Sequence, residues 1–155
     1  MKMILIEYRL YPEDFWKVER VDWEKASLSE YDTLHFHGDL IFRCGCVDLD
    51  YRNIPLLGFA HEFTEAFLDC VQAGEAEVVY SLLEGNDRLQ LHLVPDGQVR
   101  ITASYTSAVC LVSIRELQVA LKEANRLLVQ QISERFPFLQ NQPLFQQICL
   151  LLNSV

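Results

Sequence analysis

The stretch "LHFHGDLIFRCGCVD", residues 34–48, places His35-x-His37 and Cys44-x-Cys46 within twelve positions. Imidazole and thiolate are the ligands zinc takes in a tetrahedral site, so these four residues define one candidate chemistry. Strand parity works against it. In a continuous strand successive side chains point to opposite faces, so the histidines face one way and the cysteines the other. A tight turn at Gly38-Asp39 would reverse that parity. It would also set His35 and His37 opposite Leu40 and Phe42 and break the apolar pattern. A small metal-binding protein using His35, His37, Cys44 and Cys46 therefore stands as the alternative reading. The simpler reading is a histidine pair on a strand, followed by two thiols around a turn at Gly45. A Cys44–Cys46 disulfide is disfavoured in a reducing compartment.

A second cluster is "HEFTE", residues 61–65. Zinc proteases carry His-Glu-x-x-His on a helix, with both histidines on one face. Here Glu65 stands at the second position and no third ligand follows. Phe59, Phe63 and Phe67 take the opposite face for the core. His61, Glu62, Glu65 and Asp69 then form an acidic ridge facing solvent. Glu65 and Asp69 are like charges at i,i+4, mildly unfavourable in a helix and relieved by a basic partner. Nucleophilic catalysis has no foothold: Ser81, Ser104, Ser107 and Ser113 lack a Gly-x-Ser-x-Gly elbow. There is no phosphate-binding glycine loop, and the six glycines mostly fit turns. No enzymatic activity and no cofactor are expected.

The elements that must position these residues follow from periodicity. Residues 3–9 read as a strand, and Pro12 with Glu13 and Asp14 could open a short helix. Residues 34–44 alternate, with Leu34, Phe36, Leu40, Phe42 and Cys44 on one parity. A short return strand over 47–49 and a loop over 50–54 come next. Pro55 suits the first turn of a helix whose apolar stripe is Leu56, Phe59, Ala60, Phe63, Phe67 and Val71, ending before Gly74. Residues 77–83 read as a strand. "LQLHLVPDGQVRITASY" is a hairpin. A three-residue loop, Pro95-Asp96-Gly97, pairs Leu93 with Val99, Leu91 with Ile101 and Leu89 with Ala103, which keeps the apolar face coherent. A type I turn with a left-handed Gly97 fits that loop. A further strand spans 108–112. Ser113 and Glu116 make a capping box for a helix running to about Arg135, with Ile114, Leu117, Leu121, Ala124, Leu128 and Ile132 inward. Pro143 opens a last short helix with Leu144, Ile148 and Leu151 inward. The expected fold is α+β: an antiparallel β-sheet with two main helices packed on one face and a short C-terminal helix, in a single domain over 1–155.

Composition narrows the function classes. The formal charge is −9; residues 1–87 hold 18 acidic and 7 basic side chains, residues 88–155 hold 4 and 6. An acidic surface repels phosphate backbones, so no nucleic-acid partner is expected, while a basic protein partner is favoured. No apolar run is long enough to span a bilayer, and the N-terminus does not read as a signal peptide, so no membrane association and a cytoplasmic location are expected. Five cysteines cannot all pair, and Cys70, Cys110 and Cys149 sit in apolar stretches as small buried hydrophobes. Trp16 and Trp23 lie in a charged stretch, where tryptophan either anchors a partner or covers the edge of a core. Self-association into a homodimer stays open.

"HGDLIF", "IPLLGFAHEFTEAF", the leucine-alternating hairpin, "VSIRELQVALKEANRLL" and "FPFLQNQPLF" together resemble small bacterial proteins. These are uncharacterised single-domain families and immunity proteins of polymorphic toxin systems, including the kind paired with cell-wall-associated toxins. The similarity covers roughly residues 33–150. It brings no catalytic residues with it. It implies a cytoplasmic protein that binds one toxin tightly and blocks it. The partner-binding residues expected on that reading are His61, Glu62, Glu65 and Asp69, with Trp16 or Trp23, and a basic toxin domain would suit the acidity.

Overall fold

The computed structural model describes residues 4–12, 18–81 and 86–155. Its elements are β1 (Ile4–Leu10), α1 (Leu28–Thr33), β2 (His37–Cys44), β3 (Val47–Asp48), β4 (Tyr51–Pro55), α2 (Leu56–Val71), β5 (Glu77–Ser81), β6 (Arg88–Val94), β7 (Gln98–Ala103), β8 (Thr106–Ser113), α3 (Ile114–Arg135), a 3₁₀ turn (Pro137–Asn141) and α4 (Pro143–Leu152). The fold is α+β with antiparallel strands and a short C-terminal helix, as the sequence indicates. The strands divide between two sheets. One has the order β1-β2-β3, with β4 also pairing β2; the other runs β5-β6-β7-β8.

β2 is the organising strand of the first sheet. It pairs with β1 along its whole length, from Leu10↔Gly38 to Ile4↔Cys44. On its other side β3 takes one end and β4 the other, with a bulge between Gly38 and Leu40. Gly38, Leu40, Phe42 and Cys44 are buried as the parity predicts and Arg43 is exposed; on the other parity Ile41 is buried too, and His37 and Asp39 are half-buried. The strand starts later than its alternation suggests. Leu34 caps the end of α1 and is 60% exposed, and Phe36 takes a positive φ of 61° before β2 begins. Residues 51–55 form a strand where sequence polarity suggests a loop, because the free edge of β2 supplies backbone partners. The Asp39 carboxylate also accepts the Asn53 amide at 3.1 Å.

The hairpin of the second sheet has the three-residue loop and the pairing read from the sequence: Leu89↔Ala103, Leu91↔Ile101 and Leu93↔Val99. Its turn differs. Asp96 and Gly97 both have φ of 68°, whereas the last central residue of a type I turn sits near −90°. Side chains tie the two sheets together. Tyr105 donates to the Leu49 carbonyl at 2.8 Å, Tyr51 donates to the Asp87 carboxylate at 2.6 Å, and the two rings lie 5.2 Å apart.

α2 packs against both sheets, on β2 and β4 of one and β5 and β6 of the other. It is buried on far more than one stripe: Leu57, Gly58, His61, Thr64, Ala66 and Cys70 join the expected apolar residues. Phe63 stands at the centre, 5.2 Å from the Phe59 ring and 5.8 Å from Phe42. α3 carries the capping box, Ser113 accepting from the Glu116 amide at 3.0 Å and Glu116 accepting from the Ser113 amide at 3.1 Å. In α4 the inward positions are Phe145, Ile148 and Leu152, with Leu144 and Leu151 half-buried, so the helix is rotated slightly from the expected phase. Cys70 and Cys110 are buried and Cys149 half-buried, where burial pushes its thiol up to about 11.

Two glycines serve close packing instead of turns. A Cβ on Gly38 would overlap the Arg9 carbonyl oxygen, and a Cβ on Gly58 would overlap the Asp32 carbonyl oxygen. The second contact seats α1 directly on α2. Gly58→Ala is therefore expected to cost about 1–3 kcal/mol, the usual penalty of overpacking against backbone that cannot move aside. Urea unfolding measures this; a stability equal to wild type would show that α1 does not sit this close.

Candidate interaction surface

α1 exists because Ser27 caps it, accepting the Glu30 amide at 3.3 Å. Six residues make a marginal helix alone, so tertiary contacts must hold it. Trp23 and Tyr31 supply apolar ones. Their rings lie 4.7 Å apart, Trp23 also stacks on Phe36 at 5.8 Å, and its Nε1 donates to the Val18 carbonyl at 2.9 Å. Asp32 supplies the polar one. His61 on α2 directs Nδ1 at both Asp32 carboxylate oxygens, at 3.1 and 3.2 Å, with Nε2 3.9 Å from Glu65. His61 is 9% exposed and Asp32 6%. The Asp32 hydrogen bond holds the imidazolium above the ordinary histidine range. Burial pulls the other way, and the Asp32, Glu65 and Glu62 charges add to the rise.

The ridge expected on α2 is thereby corrected at its first member. His61 turns inward to Asp32 because Gly58 brings α1 within reach, and the cation it can carry is already held. The open strip of α2 retains half-buried Glu62 and exposed Glu65 and Asp69, beside half-buried Leu68 and Val71. No lysine or arginine occurs in the helix, and its last turn has no basic residue. Asp69 lies in that last turn, where the helix dipole is already negative, so the carboxylate is placed against the local field. Trp23, at 5% exposure, belongs to the core and is withdrawn from any partner. Trp16 lies outside the described residues.

The candidate metal ligands are not brought together. His37 and Cys44 stand at opposite ends of β2, seven residues apart, which is about 23 Å of strand. The His35 ring packs 5.1 Å from Trp23. Cys44 is buried and Cys46 is exposed on the turn beyond it. Gly38 and Asp39 continue the strand, so the reversal needed to gather four ligands is missing. Among the described residues no group of three or more His, Cys, Asp or Glu side chains could hold a metal ion.

A buried polar network was not evident from the sequence. Asn125 on α3 donates to Thr64 Oγ1 at 2.9 Å and to the Leu152 carbonyl at 3.3 Å, and accepts from Tyr8 at 3.4 Å. It joins β1, α2, α3 and the end of α4. Its signal was an asparagine at i+4 from Leu121, on the apolar stripe. No family model, no curated protein and no solved structure matches the chain. Among the described residues no helix is long and apolar enough to cross a membrane.

The Asp32–His61 pair makes stability depend on pH in a defined direction. The folded-state pKa of His61 lies above the ordinary 6.5, so its contribution is complete below that value and is lost as pH rises through the folded pKa. NMR titration of the imidazole should give a midpoint above 6.5 in the wild type and a lower one in Asp32→Asn. The urea midpoint should fall across that window in the wild type and flatten in the variant. For the metal reading, protein purified without a histidine tag is expected to contain no stoichiometric metal. A His37→Ala/Cys44→Ala change should leave its metal content where it was.

Proposed function

We propose that this chain is a non-enzymatic protein-binding protein that neutralises a cognate toxin in the bacterial cytoplasm, using an acidic surface centred on α2. The observation that carries this reading is the placement of Glu65 and Asp69. They are exposed carboxylates one turn apart, on the C-terminal half of a helix that is otherwise enclosed, has no lysine or arginine, and turns its one histidine to Asp32. Like charges at that spacing and a carboxylate at the negative end of the dipole both cost the free protein stability. A basic partner offsets both terms on binding. The acidic excess of residues 1–87 extends the same field and speeds encounter with such a partner. The resemblance to immunity proteins supports the same class.

Co-expression with the product of the adjacent gene tests the reading. The neighbour should be toxic alone, harmless beside this protein, and co-purify with it. Glu65→Lys/Asp69→Lys should weaken that complex on the order of tenfold at low salt, mainly through slower association, with a smaller effect at high salt. If no neighbour is toxic and no complex forms, the reading falls.

A further inference from the structure

The second sheet ends in a strand whose outer edge is open among the described residues. β5 pairs with β6 and with no other strand. The register runs without a shift from Glu77↔His92 to Ser81↔Arg88. The Leu93 amide donates to the Ala76 carbonyl at 2.8 Å, which makes Ala76↔Leu93 a hydrogen-bonded pair. Antiparallel ladders alternate, so Val78 and Tyr80 also turn their backbone groups to β6. The amides and carbonyls of Glu77, Val79 and Ser81 then point away from the sheet. Edges of this kind are normally blunted by lysine, proline or a bulge. "EVVYS" contains none of the three, and its one charged residue, Glu77, stands at its first position. Of the other outer strands, β1 carries Arg9 beside Glu7 at 3.1 Å, and β8 has β2 and β3 of the first sheet against it.

The first end of the β5 edge is acidic, while exposed Arg88 on β6 lies opposite Ser81 at the far end. Exposed Glu77 opens the strand and exposed Glu75 stands two residues before it. The Glu75 amide donates to the Asp69 carbonyl at 3.3 Å, which brings the last turn of α2 to the same place. Val79, 49% exposed, offers an apolar contact on the open face of the sheet.

We infer that the β5 edge is a docking site for an extended, lysine- or arginine-bearing segment of a partner protein, which adds as a further strand along Glu77–Ser81. The outward amides and carbonyls of β5 supply main-chain hydrogen bonds, and Val79 packs against a β-branched residue of the added strand. Asp69, Glu75 and Glu77 attract basic residues at the end of the segment that meets them. This inference rests on the protein-binding reading and specifies how the partner is held.

The probe is an acetylated, amidated peptide of alternating valine and threonine with lysine at both ends, followed by amide NMR of the whole chain. Saturable shifts and slowed exchange at the Glu77, Val79 and Ser81 amides are expected. Methylating alternate backbone nitrogens of the peptide should weaken binding by roughly tenfold, as loss of backbone pairing requires. Val79→Pro, which removes an outward amide without removing a β6 partner, should do the same. If that variant does not fold, the methylated peptide carries the same comparison. Exchanging the lysines for glutamates should abolish binding. Shifts confined to Glu62, Glu65 and Asp69, equal binding by the methylated peptide, or no saturable binding would each overturn the edge site. None of these outcomes touches the co-expression result, so the two readings fail separately.

Discussion

The contact between the backbone of Asp32 and the face of α2 at Gly58 is the constraint on which much else depends. Glycine at that position lets α1 sit against α2 with no side chain between them. At that separation the Asp32 carboxylate reaches His61, and Trp23 and Tyr31 fall into the same core as Phe36 and Phe145. Any larger residue would push α1 outward, leaving a buried histidine and a buried carboxylate each without its partner. Such groups are costly singly and tolerable as a hydrogen-bonded pair.

Enclosure of α2 also shapes the surface. Packing on two sheets, α1 and α4 leaves the helix a narrow open strip, and inward rotation of His61 commits its Nδ1 to Asp32, with Nε2 3.9 Å from Glu65 at the border of that strip. What remains is Glu62, Glu65 and Asp69, continued by Glu75 and Glu77 where β5 begins. The acidic character of this region is thus a consequence of how the interior is satisfied, as well as of composition.

Asn125 plays a parallel role on the other side of α2. By joining Thr64, Tyr8 and the Leu152 carbonyl at the end of α4, it sets where β1, α2, α3 and α4 meet. Apolar packing alone allows helices to slide and rotate. A buried amide with partners on three other elements is satisfied at one arrangement only, and it accompanies the slight rotation of α4 from the phase its sequence suggests.

The α+β class, the capping box at Ser113, the span of α3 and the register of the β6–β7 hairpin were determined by the sequence itself. Each depends on local periodicity, on a cap within one turn, or on a turn that admits one coherent apolar face. The parity of β2 was equally legible, and it already separated His35 and His37 from Cys44. Tertiary structure alone decided the rest. Residues 51–55 look polar and became a strand because β2 offered an unpaired edge. α1 carries a signal in Ser27 and Glu30, but six residues are held by distant aromatics. His61 reads as a solvent-facing member of an acidic ridge, and only the approach of α1, 29 residues away in the chain, turned it into the buried partner of Asp32. Backbone edges, close approaches and buried charge pairs are properties of two segments meeting, and neither segment carries them alone.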